Sequence, residues 1–452
     1  MTAPLTNSIT LIAKKKFVVI VVMTLLPLIN TYGISFGQEE EQDATTMPML
    51  SDSSLKVEVV ANGIDDPTGM AFLGPDDILV LERANGIVQR IVNGEMLKQP
   101  MLDVNVNSKD ERGLLGIAVS KNATTDKTFV FLFYTETEGV DDRGEPIANR
   151  LYRYEVSDNR LVNPKLLLSL PFLPGPAHTG EAITIGPDNN VYVAFGELTP
   201  TKYAKGDYKF SSQNYENGKE PDGRGGILRV TQDGQIVDGK GILGDEPPLN
   251  LYYAYGIRNS FGLGFDPVTG NLWDTENGPS WGDEINLVEP GFNSGWAKVI
   301  GTWTVVETID EEGNRHIERG EAFSSVPAGL NDFNGKGQYS PPELALSNTI
   351  APTAIAFLQS DKLGTQYEND MFVGTVKDKL LHFKLDENRT KIVLNDDNSG
   401  SFVYTAEDMD SFTFAEGFGI ITDVKVGPDG YLYIVSGART PEGTIYRILP
   451  AT

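Results

Sequence analysis

The residue in this chain best suited to moving a proton is His178, in the run Pro176-Ala177-His178-Thr179-Gly180-Glu181. An imidazole titrates near neutral pH, so a histidine on a loop is the natural general base. Glu197, at the end of the strand expected next, could orient the ring as carboxylates do for catalytic imidazoles. The alternative is a structural histidine satisfied near a turn. A second stretch, from Tyr255 to Trp296, holds Gly256-Ile257-Arg258-Asn259-Ser260 and then Thr275-Glu276-Asn277-Gly278-Pro279-Ser280-Trp281-Gly282-Asp283-Glu284-Ile285-Asn286. Carboxylates with Gly-Pro in a tight loop suit calcium, which takes about six to eight oxygens, backbone carbonyls among them. In an acidic chain the same residues also read as a solvated loop.

Such residues need a frame, and the chain supplies one by repetition. From Val57 onward it is strand and turn with hardly any helical periodicity. A short apolar strand turns through Gly-Pro-Asp or a relative and continues as a stronger apolar strand. The clearest copies are Met70-Ala71-Phe72-Leu73-Gly74-Pro75-Asp76, Ile183-Thr184-Ile185-Gly186-Pro187-Asp188 and Val424-Lys425-Val426-Gly427-Pro428-Asp429. Weaker ones open at Gly116, Leu263 and Ile355. Strands are expected next at Ile78 to Leu81, Phe129 to Tyr134, Val191 to Phe195, Leu272 to Thr275, Met371 to Gly374 and Tyr431 to Val435. A third strand often sets a polar or basic residue between apolar ones, as in Val88-Gln89-Arg90-Ile91 and Ile445-Tyr446-Arg447-Ile448. Proline presets φ and glycine tolerates the reversal, so the tripeptide is a hairpin device. A small sheet cannot bury both faces alone, whereas a closed ring of sheets can. The expected fold is all-β, a six-bladed β-propeller over residues 55–450, with a β-sandwich pair as the alternative. Long loops at 174–181, 198–226 and 275–296 would build a site at one end of it.

Composition removes much of the usual enzyme inventory. There is no cysteine among the 452 residues, so thiolate nucleophiles, iron–sulfur clusters and Cys-based zinc sites are absent. Three histidines argue against a His-rich copper or zinc centre, leaving a hard cation on oxygen ligands. A net charge of −26 would repel nucleic acid. At the N-terminus Lys14, Lys15 and Lys16 precede an apolar run from Phe17 to Ile29, the layout of an export signal. The run is shorter than the ~20 residues a spanning helix needs. Residues 1–37 are therefore expected to be a signal peptide, with Ser35-Phe36-Gly37 as a cleavage site, or an N-terminal membrane anchor. The acidic residues 38–54 are expected to be a disordered linker, which places the folded part outside the cytoplasm.

The two chemical loops and the repeat together resemble the soluble quinoprotein glucose/sorbosone dehydrogenases, or aldose sugar dehydrogenases. These are six-bladed propellers that use pyrroloquinoline quinone (PQQ) and Ca2+. The likeness runs from about Val57 to Leu449. It is most specific from the Gly-x-Arg-Asn step at Gly256 through Gly278-Pro279, Asp283-Glu284-Ile285-Asn286 and Asn293-Ser294-Gly295-Trp296. Glu111-Arg112-Gly113-Leu114-Leu115-Gly116 and His178 with Gly186-Pro187-Asp188 support it. The resemblance implies that His178 takes the proton of a sugar hydroxyl while hydride passes to the quinone, with an electron acceptor the sequence does not name. It implies cofactor contacts at Glu111, Arg258, Asn259 and Lys377. Calcium would be held by the carbonyls of Gly278 and Pro279, and a second calcium by Glu284 and the position of Ser294. Trp281, Trp296 and Trp303 could stack on a sugar or pack between blades.

The chain departs from the family at several positions. Glu111 stands where the family has glutamine, Glu181 and Ala182 replace a small residue and an arginine, and Glu197 replaces aspartate. Ser294 replaces a tyrosine, which suits a backbone carbonyl ligand. Ile420 and Thr422 stand where two arginines grip the cofactor carboxylates. Each lost charge-assisted hydrogen bond is worth ~1.5–3 kcal/mol, so two could weaken binding a hundredfold or more; Lys425 or Arg439 could substitute. Two other functions fit the same scaffold: a calcium-dependent lactone or ester hydrolase, and a non-catalytic extracellular binding propeller that has lost PQQ.

Overall fold

The computed structural model describes residues 47–122, 125–139, 144–172, 178–180, 182–198, 212–214, 221–312, 315–394 and 403–451. Glu181, residues 174–177, and residues 199–211 and 215–220 of the expected long loops lie outside them, as do residues 1–46 with the apolar run. Among the described residues no helix is long and apolar enough to cross a membrane.

Among the described residues the chain is all-β, with only short 3-10 turns between strands. Every one of the six expected openings lies in the first strand of a sheet, paired antiparallel with the strand that follows it. These first strands are Pro67–Gly74, Leu114–Lys121, Ile183–Ile185, Ser260–Phe265, Pro352–Phe357 and Ile421–Val426. Each touches the next in this order, and the last touches the first. The following strands are Asp77–Glu82, Thr128–Thr137, Val191–Phe195, Leu272–Glu276, Met371–Thr375 and Leu432–Ser436. The last sheet takes its outer strand from the start of the folded chain: Leu55–Ile64 pairs with Gly443–Pro450, joining the two ends. Within the stretch expected to be linker, Met49–Leu50 adds a strand beside Thr413–Glu416. Ser51 secures it, its N–H and hydroxyl both donating to the Phe414 carbonyl (2.9 and 3.0 Å).

Alternation along each strand explains why these sheets stack. In Asp77–Glu82, Leu79 and Leu81 face a core shared with Ile117, Val130 and Leu132 of the next sheet. Their neighbours Ile78 and Val80 face the other way, onto Tyr433, Val435 and Ile445 of the last sheet. Val191, Val193 and Phe195 likewise pack toward Phe131 and Phe133, while Tyr192 and Ala194 meet Leu263 and Leu272. The core thus lies between sheets, and a period of two with both faces apolar is what that packing requires.

The Gly-Pro-Asp turn has a specific use. Asp188 Oδ2 accepts from Tyr192 Oη (2.8 Å), with the Arg229 guanidinium 3.7 Å away. Asp429 Oδ2 accepts from Tyr433 Oη (2.8 Å) and from Arg447 (3.1 Å). A side chain at Gly186 or Gly427 would meet the tyrosine ring at 2.6 and 2.5 Å, so glycine is needed for the turn to lie against it. In these two copies the basic residue of the third strand is the partner of the turn's aspartate, whereas in the first copy Arg90 pairs with Asp77, one residue on.

Asp423 fastens the last sheet to the first. Its Oδ2 accepts from Met70 N–H (2.9 Å), and Oδ1 accepts from Val424 N–H (2.9 Å) and faces Lys425 (3.2 Å). Asp423→Ala would leave a buried N–H unpaired, costing about 1–3 kcal/mol. The urea unfolding midpoint should fall accordingly with an unchanged m-value; an unchanged midpoint would deny the aspartate this role.

Candidate active site

Antiparallel order puts the entry to each first strand and the turn between the second and third strands at the same end of a sheet. Pairings such as Ser260 with Glu276 and Glu276 with Glu284 show it. His178, Arg258, Asn259, Ile420 and Glu111 precede first strands; Glu197, Asn277–Trp281 and Lys377 follow second strands. One end of the molecule therefore carries all the candidate residues.

His178 sits in the left-handed region at φ 65°. Its carbonyl accepts from Leu198 N–H (3.3 Å), and Gly196 N–H donates to Thr179 O (3.2 Å). A side chain at Gly196 would meet the His178 carbonyl oxygen at 2.1 Å, so the loop can lie on the strand end only over glycine. The His178 backbone N–H donates to Glu111 Oε2 (2.6 Å). On the ring, Nδ1 lies 2.9 Å from Glu197 Oε1 and Nε2 lies 2.9 Å from Arg258 Nη2. A guanidinium only donates, so Nε2 must accept. The ring proton is thereby assigned to Nδ1, which donates to the fully buried Glu197. The imidazole is neutral in this arrangement, with its basic lone pair on Nε2.

Arg258 is itself tightly held. It is 6% exposed, and its Nη1 donates to Asn277 O (2.6 Å). Its backbone N–H donates to Glu276 Oε1 (2.6 Å), and its guanidinium stands 5.4 Å from the Trp296 ring centroid. Nε is buried and has no acceptor among the described residues. Asn259 Oδ1 accepts from Gly180 N–H (3.2 Å), and Arg258 O accepts from Glu197 N–H (3.0 Å). His178, Glu197, Arg258 and Asn259 are thus brought together. Lys377 lies on the neighbouring turn, whose Val376 N–H donates to Ala351 O (3.1 Å).

The Gly278–Pro279 turn is anchored by Asp283, whose Oδ1 accepts from Gly278 N–H (2.9 Å) and whose Oδ2 accepts from Ile350 and Ala351 N–H (2.8 Å each). A side chain at Gly278 would meet Trp281 O at 2.0 Å, so the turn demands glycine. Burial pushes Asp283 up to about 6 despite these three donors. Ser294 Oγ donates to Glu276 Oε2 (2.6 Å) or Glu284 Oε2 (3.1 Å), and Gly301 N–H donates to Glu284 Oε1. Burial and mutual repulsion push Asp274, Glu276 and Glu284 well above the usual carboxylate range. They are spread along two strands. Among the described residues no three carboxylate or imidazole side chains form a metal-ligand cluster.

Ile420 and Thr422 place no cation at the sixth sheet's entry. Of the suggested substitutes, Lys425 pairs with Asp423, and Arg439 donates its backbone N–H to Asp66 Oδ1 (2.6 Å). The buried carboxylates Asp274 and Glu276 were given no role above. Two acids at alternate positions of a fully buried strand, Leu272–Glu276, are the feature that marks them.

A family model for glucose/sorbosone dehydrogenase matches residues 64–447. The chain belongs to the glucose/sorbosone dehydrogenase family. An aldose sugar dehydrogenase of Escherichia coli (strain K12) is 25% identical to this family member over 394 residues, covering 86% of this chain and 92% of that protein. Quinoprotein glucose dehydrogenase B of Acinetobacter calcoaceticus is 29% identical over 260 residues, 54% of this chain and 52% of that one. Among solved structures, the apo soluble aldose sugar dehydrogenase of E. coli superposes with a TM-score of 0.64 at 22% identity, covering 88% of this chain and 100% of that one. The PQQ-bound aldose sugar dehydrogenase of Streptomyces coelicolor gives 0.59 at 22%, with 89% and 100% covered. At such identities the structural likeness shows the shared all-β, propeller-like fold of the glucose/sorbosone dehydrogenases.

Proposed function

We propose that this protein is an exported sugar dehydrogenase on a six-bladed propeller, dependent on PQQ and calcium, with His178 as the general base. The observation that carries the reading is the Glu197–His178–Arg258 chain, which leaves a neutral imidazole with Nε2 facing the Arg258 guanidinium. Residues 1–37 act as signal or anchor.

The residues present fit an anionic quinone at one edge. Arg258 Nε is a buried donor awaiting an acceptor, and Asn259 and Lys377 would add to its grip. The carbonyls of Gly278 and Pro279 would hold calcium beside it, with Glu284 and Ser294 seating a second ion. When bound, the quinone supplies the two-electron acceptor for a hydride from the sugar. The chain's own residues do the rest. Nε2 takes the proton of the sugar hydroxyl as the C–H hydride departs, and Glu197 stabilises the imidazolium so formed. Arg258, still bonded to Asn277 O through Nη1, swings its Nη2 from Nε2 to the reacting oxygen, where its positive charge favours the developing anion.

The first test is calorimetric titration of the calcium-loaded protein with PQQ, followed by dye reduction over a panel of aldoses. Micromolar or tighter binding, lost on chelating calcium, is expected. Absence of binding would withdraw the quinone from the reading. Hydrolysis of lactones without added quinone would then favour a hydrolase.

A further inference from the structure

We infer that Glu111 is a positioning residue that fixes the backbone of His178 rather than a ligand of the cofactor, and that Arg83 is the hub that fixes Glu111. The inference rests on His178 being the base.

A carboxylate is a poor choice for gripping a molecule that itself carries carboxylates. Here its oxygen Oε2 is already committed, 2.6 Å from the His178 N–H. That bond falls on a residue that needs holding. A non-glycine residue at positive φ is strained by roughly 1–2 kcal/mol, and it persists where surrounding contacts over-determine it. The next residues are pinned from the other side, Thr179 O by Gly196 N–H and Gly180 N–H by Asn259 Oδ1. Glu111 supplies the anchor on the near side.

Glu111 is held in turn. Arg83 Nη1 donates to three carbonyls of the same loop: Ser108 (3.3 Å), Asp110 (3.1 Å) and Arg112 (2.6 Å). Its Nη2 pairs with Asp66 Oδ2 at 2.6 Å. The loop is wrapped so closely that a side chain at Gly113 would meet Arg83 O at 2.5 Å. Arg112 is buried and donates to Asn107 Oδ1 (2.8 Å), which closes the loop on itself. Since Asp66 Oδ1 also accepts from Arg439 N–H, contacts run from the sixth sheet's turn through Asp66, Arg83 and Glu111 to His178. Placement of the base thus depends on residues of other sheets that touch no substrate.

The geometry separates two variants. Glu111→Gln keeps an oxygen that accepts from His178 N–H and removes the charge; Glu111→Ala removes the acceptor. In the calcium- and quinone-loaded protein, Glu111→Ala should lower kcat about ten- to a hundredfold, the scale of an ångström-sized misplacement. Its KM should move far less, and Glu111→Gln should stay within a few-fold of the parent. With only three histidines in the chain, 15N-histidine spectra give a readout that needs no turnover. His178→Ala assigns the His178 imidazole signals, which Glu111→Ala should displace and Glu111→Gln largely preserve. Arg83→Met, which reaches His178 only through the loop and Glu111, should displace them in the same sense.

Unmoved His178 signals and unchanged kcat in Glu111→Ala would overturn the proposal. So would equal losses in both Glu111 variants, since that would make the charge and not the hydrogen bond the important feature. Full activity of His178→Ala would instead remove the base assignment, while the spectra would still report whether Glu111 positions the ring.

Discussion

Replacing His178 by alanine should lower kcat for sugar oxidation about 10²–10⁴-fold, the usual worth of a positioned general base. Quinone affinity should change only a few-fold, because Arg258 keeps its bonds to Asn277 and to the Glu276 side chain. The size follows from the geometry. Glu197 fixes the ring by the bond to Nδ1, so Nε2 carries the lone pair whenever the imidazole is neutral. Without the ring, water would have to take the proton, and the buried Glu197 would face a cavity. Glu197→Gln is the sharper companion. An amide can accept from Nδ1–H but cannot stabilise the imidazolium by charge, so kcat should fall while the fold stands. Stopped-flow reduction of the loaded enzyme by sugar measures the step directly. A His178→Ala enzyme as fast as its parent would place the base elsewhere.

How much of this was legible before the fold was seen depends on the range of the interaction. Gly186-Pro187-Asp188 is a local device, and its partners Tyr192 and Arg229 lie on the next two strands, so periodicity and turn chemistry located it. The alternation of Ile78, Leu79, Val80 and Leu81 likewise announced two buried faces. The site was legible as a grouping, in that His178, Glu197, Arg258 and Asn259 meet at one end. It was not legible where the partner is a backbone group far along the chain. Glu111 reaches an N–H 67 residues away. Nothing in its neighbourhood says that the acceptor serves His178 rather than a ligand. The strand at Met49–Leu50 was hidden in the same way, because two residues with an acidic stretch before them show no period. The hairpin Trp303–Ile309 with Arg315–Ala322 belongs to no repeat, so the repeat could not foretell it.

Arg258→Lys should be nearly as damaging as loss of the base, although the charge is retained. The guanidinium aims three sets of N–H from one plane: Nη1 to Asn277 O, Nη2 to His178 Nε2, and Nε toward an acceptor that none of the described residues supplies. An ammonium is a point on a flexible stem and cannot reproduce that fork. Losing the charge-assisted bond that Nε would make, worth ~1.5–3 kcal/mol, weakens quinone binding by roughly 10–10²-fold. No arginine at 420 or 422 is present to absorb the loss, which makes this chain more dependent on Arg258 than one with a full cationic grip. Stability should separate the two parts of its role. Arg258→Lys keeps a cation near Glu276 and Asp283, both of which its charge favours in the ionised form. Arg258→Met leaves those buried carboxylates without it. The methionine variant should therefore unfold at lower temperature than the lysine variant at neutral pH, while both bind quinone more weakly than the parent in the calorimeter. A lysine variant with parental quinone affinity would mean that the fork is not what holds the cofactor. The positive end of the site would then have to be sought at Lys377 and the calcium carbonyls.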